Sequence, residues 1–171
     1  MLFLLDANTL IDAKRDYFQF ERVPEFWEWI HYHGTIGNIK IPIEIYEEFE
    51  EPRKPDWERD ELSEWAARSD VKAALLLDEE ADPILVRKVI AEGYCPDPTD
   101  QELESIGRDP FLISRALIAP RDRTIVTTEV SKRGKQRANR KIPDVCRDLK
   151  VRCINNIQLL RELDFKTRWK S

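Results

Sequence analysis

The sequence predicts an α/β sandwich: a single domain over residues 1–171 in which helices pack around a central parallel sheet. Short apolar runs, typical of buried strands, alternate with segments that have helical periodicity. The stretches between the apolar runs are too long for hairpins, which favours crossover connections and therefore parallel strands. The length of 171 residues is typical of one domain, and no repeat or linker divides it.

Four short segments are predicted to be strands. The first, Leu2–Leu5, contains no polar residue and is followed directly by Asp6, as expected of a strand that is buried on both faces. The other three predicted strands are Ile39–Ile43, Thr124–Thr127 and Val151–Ile154. The segment Lys72–Leu77 fits a strand or a short helix equally well, because periodicity does not decide between them.

Helices are predicted wherever apolar residues recur at helical spacing. Val23–His33 has this spacing and is followed by Gly34, and we expect its aromatic side chains to lie in the core or an interface. A second pattern begins at Glu44, is interrupted by Pro52 and Pro55, and resumes over Trp57–Arg68. The remaining predicted helices are Pro83–Glu92, Thr99–Ile106, Asp109–Ala119, Pro143–Leu149 and Asn156–Leu163.

Composition excludes several classes of protein. No apolar stretch approaches the 18 or more residues that a membrane span requires. The apolar start has no basic residue before Asp6, so it does not resemble a signal peptide. The cysteines and histidines lack the spacing of a zinc site, so we expect reduced, buried thiols in a cytoplasmic protein. These residues are His31, His33, Cys95, Cys146 and Cys153.

Acidic residues recur where the predicted strands end and helices begin. Ligands of an open parallel sheet bind at the carboxyl ends of its strands, so these acids are candidates for a functional site. They are Asp6, Glu48, Asp109, Glu129 and Asp144. Asp109 and Asp144 would also suit helix capping, and Glu48 lies in a run of glutamates that suits a solvated helix face.

Clustered carboxylates predict a divalent cation and metal-assisted chemistry. Several carboxylates in one place repel each other unless a cation neutralises them, and ligand sets of oxygen alone select Mg²⁺ or Mn²⁺. Such a cation lowers the pKa of bound water and stabilises the leaving oxygen of a phosphodiester. No Ser–His or Cys–His pair offers a competing nucleophile, so the sequence predicts metal-assisted hydrolysis.

The charge balance indicates a polyanionic substrate. The net charge of −5 is distributed as −14 over the first 120 residues and +9 over the remainder. Six basic residues lie between Glu129 and Asp144, where they would hold a nucleic-acid backbone beside the acids or form a solvated loop without a ligand. They are Lys132, Arg133, Lys135, Arg137, Arg140 and Lys141.

Several motifs resemble those of PIN domains, the nuclease fold shared with VapC-type toxins. Residues 4–10 (LLDANTL) are similar to the opening strand and first acidic motif, and residues 109–116 (DPFLISRA) are similar to the third acidic motif. Residues 125–129 (IVTTE) match a strand that ends in Thr-x-Asp, with glutamate in place of the aspartate. Residues 142–146 (IPDVC) resemble the DUF4411 branch of PIN-like proteins.

The resemblance implies a three-layer α/β/α sandwich and an endoribonuclease that uses Mg²⁺ or Mn²⁺, as the toxin of a toxin–antitoxin pair. It implies metal ligands at Asp6 and Asp109, with Glu129, Asp144 or both completing the site. Glu48 fits the second acidic position, and Glu44 lies one turn away on the same helical face. The supporting polar residues would be Asn8 and Thr127. The implied partners are RNA and either a protein antitoxin or a second copy of the chain, with no membrane.

Two other functions remain open at this point. The glutamate at position 129 favours a PIN-like binding or scaffold module that has lost the chemistry. No residue is identified that would read a 2′-hydroxyl group, so a structure-specific DNA nuclease on the same fold also fits.

Overall fold

A four-stranded parallel sheet forms the centre of the fold, as the sequence predicts. The structure, a computed structural model, describes residues 1–50 and 60–169. The strands are β1 (Leu2–Leu5), β2 (Ile39–Lys40), β3 (Arg123–Val126) and β4 (Arg152–Ile154). They are all parallel and lie in the order β2-β1-β3-β4.

The strand order places helices on both faces of this sheet. From β1 the chain moves to β2 on one side, through a connection that contains α2 (Pro24–Thr35), whereas from β3 it moves to β4 on the other side through α9 (Ile142–Asp148). Crossovers between parallel strands are right-handed, so two crossovers in opposite directions lie on opposite faces. The α/β sandwich predicted from the sequence is therefore confirmed.

The other helices match most of the predicted segments to within a few residues. They are α1 (Ala7–Asp12), α3 (Ile43–Glu50), α4 (Glu61–Ala66), α5 (Ser69–Leu75), α6 (Pro83–Lys88), α7 (Asp100–Ile106), α8 (Asp109–Leu117) and α10 (Asn156–Glu162). Short π-helical segments, Ala13–Tyr17 and Val89–Tyr94, continue α1 and α6, and a 3₁₀ turn covers Arg137–Asn139. Residues 51–59, which include the predicted break at Pro52 and Pro55 and the start at Trp57, lie outside the described residues.

The predicted strand Ile39–Ile43 is too long. The strand ends at Lys40, and Ile41 makes only an isolated parallel bridge to Leu76. Pro42 has no N–H to donate to a ladder, and its carbonyl accepts hydrogen bonds from the N–H groups of Ile45 and Tyr46. Pro42 therefore lies directly before α3 and prevents the strand from continuing.

One other segment differs from the prediction, and another resolves an ambiguity that the sequence leaves open. The sequence predicts no helix after Asp6, yet α1 begins at Ala7, with Asp6 in the extended conformation of an N-cap. The ambiguous segment Lys72–Leu77 is mostly helical, because α5 extends to Leu75 before the bridge at Leu76. Periodicity could not identify α1, because its single full α-helical turn is too short to show a repeat.

The aromatic side chains of α2 lie in the core, as predicted. Phe26, Trp27 and Trp29 are buried, and the Phe26 ring stacks on Phe18 with centroids 4.2 Å apart. Gly34 does not end α2 but allows it to approach α5, since a Cβ at this position would lie 2.6 Å from Leu75 Cδ2. Throughout residues 1–50 and 60–169, no helix is both long and apolar enough to cross a membrane. The three cysteines are free thiols.

Candidate functional site

The order in which the chain adds strands to the sheet reverses direction between β1 and β3. The chain leaves β1 toward one edge and β3 toward the other, so the connections diverge and open a crevice at the carboxyl ends of these two central strands. Asp6 directly follows β1, and Thr127 directly follows β3. The topology therefore brings Asp6 and Thr127, which are 121 positions apart in sequence, to one edge of the sheet.

Asp6 is held at this edge by hydrogen bonds. Its N–H donates to the Val126 carbonyl at 2.9 Å, and the Thr127 hydroxyl donates to Asp6 Oδ2 at 2.8 Å. Only 4% of Asp6 is exposed, and this burial raises its pKa, as does the charge of Glu129 to a smaller extent. Hydrogen bonds from Thr127 and Asn8 offset part of the increase. The predicted supporting residues Asn8 and Thr127 thus both act on the Asp6 carboxylate.

Asp109 is the first residue of α8, but its carboxylate does not cap the helix. The N-cap is Arg108, and no side chain there makes a capping hydrogen bond. The Tyr94 hydroxyl instead donates to Asp109 Oδ2 at 3.1 Å. Burial and then the charges of Asp6 and Glu129 raise the pKa of Asp109 to about 7, and this hydrogen bond offsets part of the increase. An aspartate perturbed in this way is typical of a functional site.

Glu129 faces the same acids and carries two hydrogen bonds of its own. Its Oε1 lies 2.5 Å from Lys141 Nζ, and its Oε2 accepts from the Ile142 N–H at 2.8 Å. The charge of Glu129 raises the pKa of both Asp6 and Asp109, so the three carboxylates lie within electrostatic reach of one another.

The two glutamates proposed for the second acidic position have different surroundings. Glu48 is exposed on α3, and its charge contributes to the raised pKa of Asp109. Glu44 pairs with the fully buried guanidinium of Arg115, with 3.3 Å between Oε1 and Nη2. The structure therefore brings Glu48 to the acidic group, while Glu44 belongs to a separate ion pair.

The Asp144 carboxylate binds hydrogen-bond donors and is not in contact with Asp6, Asp109 or Glu129 through any of them. It is 2% exposed, and it accepts hydrogen bonds from Ser131 Oγ at 2.6 Å, from the Lys132 N–H at 2.7 Å and from Arg147 Nη1 at 3.0 Å. Burial alone would raise its pKa, but these donors outweigh burial and lower it. Asp144 is the third residue of α9, it does not cap the helix, and its charge is not among the main causes of the raised pKa of Asp6 and Asp109.

A cleft of about 620 Å³ opens over the acidic group. Acidic and basic side chains both line the cleft, whereas Asp6 is buried and is not among the lining residues. The charged residues that line the cleft are Glu48, Arg108, Asp109, Glu129, Lys132, Lys135, Arg140 and Lys141. Such a cleft could bind a polyanion beside carboxylates that could bind a cation.

The six basic residues of the 132–141 segment divide into two groups. Arg137 binds Glu102 (Nε–Oε1 2.5 Å) and Asp97, Arg140 binds Asp148 and the Gly93 carbonyl, and Lys141 binds Glu129. The other three, Lys132, Arg133 and Lys135, are exposed, and their side chains form no ion pair with the part of the chain that the structure describes. Arg137 and Arg140 therefore hold the segment to the domain, whereas the side chains of the other three remain exposed.

Sequence reasoning missed two residues of the site. Tyr94 binds Asp109, and Arg108 joins the cleft wall to α3 through Glu47 Oε2, 2.9 Å from its Nη1, and the Glu44 carbonyl. Tyr94 gives no sequence signal, because it ends a π-helical segment 15 positions before its partner. Arg108 directly precedes the Asp109–Pro110 helix start, which is the signal that could have drawn attention to it.

The donor chemistry suits a hard divalent cation, but the acids are not arranged as a ready-made chelating group. Across residues 1–50 and 60–169, no three His, Cys, Asp or Glu side chains are placed so that they could hold a metal ion together. Glu129 nevertheless raises the pKa of Asp6, and Asp6 and Glu129 raise that of Asp109, and a cation would relieve this repulsion. Oxygen ligands of this kind fit Mg²⁺ or Mn²⁺.

The comparison with protein families gives the family. Residues 3–167 match the family described as Domain of unknown function (DUF4411). The chain belongs to the DUF4411 family. The match includes every acid of the cleft and all of the four strands except Leu2, so the site is part of the DUF4411 domain. No curated protein and no solved structure matches this DUF4411 chain.

Proposed function

We propose that this DUF4411 protein is a PIN-type endoribonuclease that hydrolyses RNA phosphodiester bonds with the aid of Mg²⁺ or Mn²⁺. The observation that carries the proposal is one cleft, at the point where the strand order reverses, which combines mutually repelling carboxylates with exposed lysines. The resemblance of the acidic motifs to PIN domains supports the same reaction.

Asp6, Asp109 and Glu129 are the residues that would hold the cation. The charge of Glu129 raises the pKa of both Asp6 and Asp109, and all three residues follow strands or begin helices at the sheet edge. A bound Mg²⁺ or Mn²⁺ supplies a Lewis acid that activates water and stabilises charge on the leaving oxygen. Thr127 and Tyr94 orient Asp6 and Asp109, respectively, by donating one hydrogen bond to each.

The remaining site residues would bind substrate and move a proton. Glu48 is exposed at the cleft, where its carboxylate can accept the proton of an attacking water. Lys132 and Lys135 line the same cleft and can bind the phosphates on either side of the scissile bond. Asp144 acts as a positioning residue, because its bonds to Ser131 and to the Lys132 N–H fix the start of the basic segment.

The test is RNA cleavage by the purified protein with Mg²⁺ or Mn²⁺. Asp6→Asn and Asp109→Asn should each reduce the rate at least about 100-fold, a typical loss for removal of a charge-stabilising group. Asp122→Asn is the matched control, because Asp122 is exposed, and it should cleave like the wild type. Equal cleavage by the wild type and both site variants contradicts the proposal, and a DNA substrate in parallel separates RNA from DNA preference.

A role as the toxin of a toxin–antitoxin pair extends this proposal and rests on the resemblance to VapC-type toxins. The expected result is that induced expression of the wild type arrests bacterial growth, whereas expression of Asp109→Asn does not. Growth arrest by both proteins would separate toxicity from the proposed chemistry.

A non-catalytic binding module is the second candidate, and one observation favours it. Both oxygens of Glu129 already accept hydrogen bonds, from Lys141 and from the Ile142 N–H, so a cation would have to compete with the positive charge of Lys141 for this carboxylate. Calorimetric titration with Mn²⁺ distinguishes the two candidates. A nuclease should bind Mn²⁺ in a way that Asp6→Asn abolishes, and a binding module should not.

A further inference from the structure

The Lys141 ammonium lies at the acidic end of the cleft. Its Nζ is 2.5 Å from Glu129 Oε1, and its side chain is 35% exposed, so it borders the open space. The hydrogen bond to Glu129 raises the pKa of Lys141, and the charges of Glu129, Asp109 and Asp6 add to the increase. A single side chain therefore neutralises part of the charge of all three acids.

The other cations of the cleft do not perform this task. Arg108 binds Glu47, and Arg140 binds Asp148. Lys132 and Lys135 line the cleft, but neither side chain forms an ion pair within residues 1–50 and 60–169. In that part of the chain, Lys141 is the cation in direct contact with the acids proposed to bind metal.

Lys141 can leave Glu129 without disturbing the backbone. Lys141 is the N-cap of α9, and its carbonyl accepts hydrogen bonds from the N–H groups of Asp144 and Val145 at 2.9 and 3.1 Å. The helix start thus fixes the main chain, while the four-carbon stem retains freedom to rotate. Glu129 would remain oriented, because the Ile142 N–H binds its Oε2.

We propose that Lys141 is an internal counter-ion, which a divalent cation must displace from Glu129 Oε1 before that carboxylate can bind metal. The inference rests on the proposed metal-dependent function. Of the two oxygens of Glu129, one is bound to the backbone and the other is covered by the ammonium. Lys141 therefore lowers the affinity of the site for metal. When displaced, it stays at the cleft wall, where a phosphate of the substrate would meet it.

Calorimetric titration of the full chain with Mn²⁺ tests this role without an activity assay. Lys141→Gln removes the competing charge, so it should bind Mn²⁺ about tenfold more tightly than the wild type, as expected when a positive charge next to a metal-binding oxygen is removed. Lys141→Met repeats the test with a second neutral side chain. Lys141→Arg keeps the charge and should bind no more tightly than the wild type.

Two further variants separate the possible results. Lys135→Gln removes one positive charge from the same cleft without touching Glu129, so its Mn²⁺ affinity should stay within about threefold of the wild type. Asp109→Asn should lose Mn²⁺ binding. If Asp109→Asn loses binding but both neutral Lys141 variants bind no more tightly than the wild type, the Lys141 inference is overturned and the proposed function stands. If the wild type does not bind Mn²⁺, or Asp109→Asn binds equally well, both fail.

Discussion

Replacing Asp109 with asparagine should stabilise the folded protein, and increasingly so as the pH rises. Burial and the neighbouring carboxylates raise the pKa of Asp109 from 3.8 to about 7. Between these two values the folded state retains a proton that the unfolded state has lost, so the contribution of Asp109 to stability falls as the pH rises. Asparagine carries no charge at any pH and can still accept the hydrogen bond from Tyr94.

The magnitude follows from the two pKa values. A difference of about 3 units corresponds to about 4 kcal/mol of destabilisation once the pH exceeds 7, and to about 1.7 kcal/mol at pH 5. Asp109→Asn should therefore raise the free energy of unfolding relative to the wild type, and this gain should grow by about 2 to 3 kcal/mol between pH 5 and pH 8. A gain of this sign is typical of a residue whose charge serves function at the expense of stability.

The assay is urea unfolding at pH 5, 6, 7 and 8, followed by the fluorescence of the five tryptophans. The exposed Asp122→Asn variant is the matched control, and its difference from the wild type should stay near zero at every pH. A stability difference for Asp109→Asn that is independent of pH, or one that shrinks toward pH 8, would contradict the raised pKa of Asp109. That result would mean that Asp109 ionises as an ordinary surface aspartate.

Three other predictions concern the same cleft. Mn²⁺ at one hundred times its dissociation constant should stabilise the wild type by about 2.7 kcal/mol, measured by urea unfolding, and should not stabilise Asp109→Asn. Asp144→Asn should destabilise the protein by about 1 to 3 kcal/mol at pH 7, because its three donors lose a charged acceptor. Since its pKa is lowered, this loss should diminish as the pH falls below about 4; an effect independent of pH would contradict it. Lys135→Gln should weaken binding of a fluorescent single-stranded RNA and reduce the slope of log affinity against log salt by about 0.7, and an unchanged slope in anisotropy titrations would exclude a phosphate contact.

Substitution by asparagine is predicted to stabilise the protein at Asp109 and to destabilise it at Asp144, although the two aspartates have similar sequence contexts. Each aspartate lies in the first turn of a helix beside a proline. The charge of Asp109 is opposed by other carboxylates, whereas three donors surround that of Asp144. A cation would thus benefit Asp109 far more than Asp144.

The basic segment shows a similar division. Arg137 and Arg140 donate hydrogen bonds to carboxylates and carbonyls of the domain. These bonds fix the 132–141 segment, whose regular structure is one short 3₁₀ turn. This anchoring leaves Lys132, Arg133 and Lys135 exposed beside the cleft. Composition alone assigns all six residues the same role, because it does not record which charges already have partners.

The pattern of residues along the chain is enough to predict the parallel α/β architecture and the acids at its strand ends. Leu2–Leu5 could be recognised because burial on both faces requires a continuous apolar run, and Asp6 because a carboxylate that directly follows such a run is unusual. The partners of the other acids became visible only in the folded chain. Glu129 adds to the raised pKa of Asp6 and Asp109 and is bound by Lys141, whereas Asp144 binds Ser131, Lys132 and Arg147. The reason is physical: a strand is dictated by its own residues, whereas the partner of a charged side chain depends on which distant segments the sheet brings to the same edge.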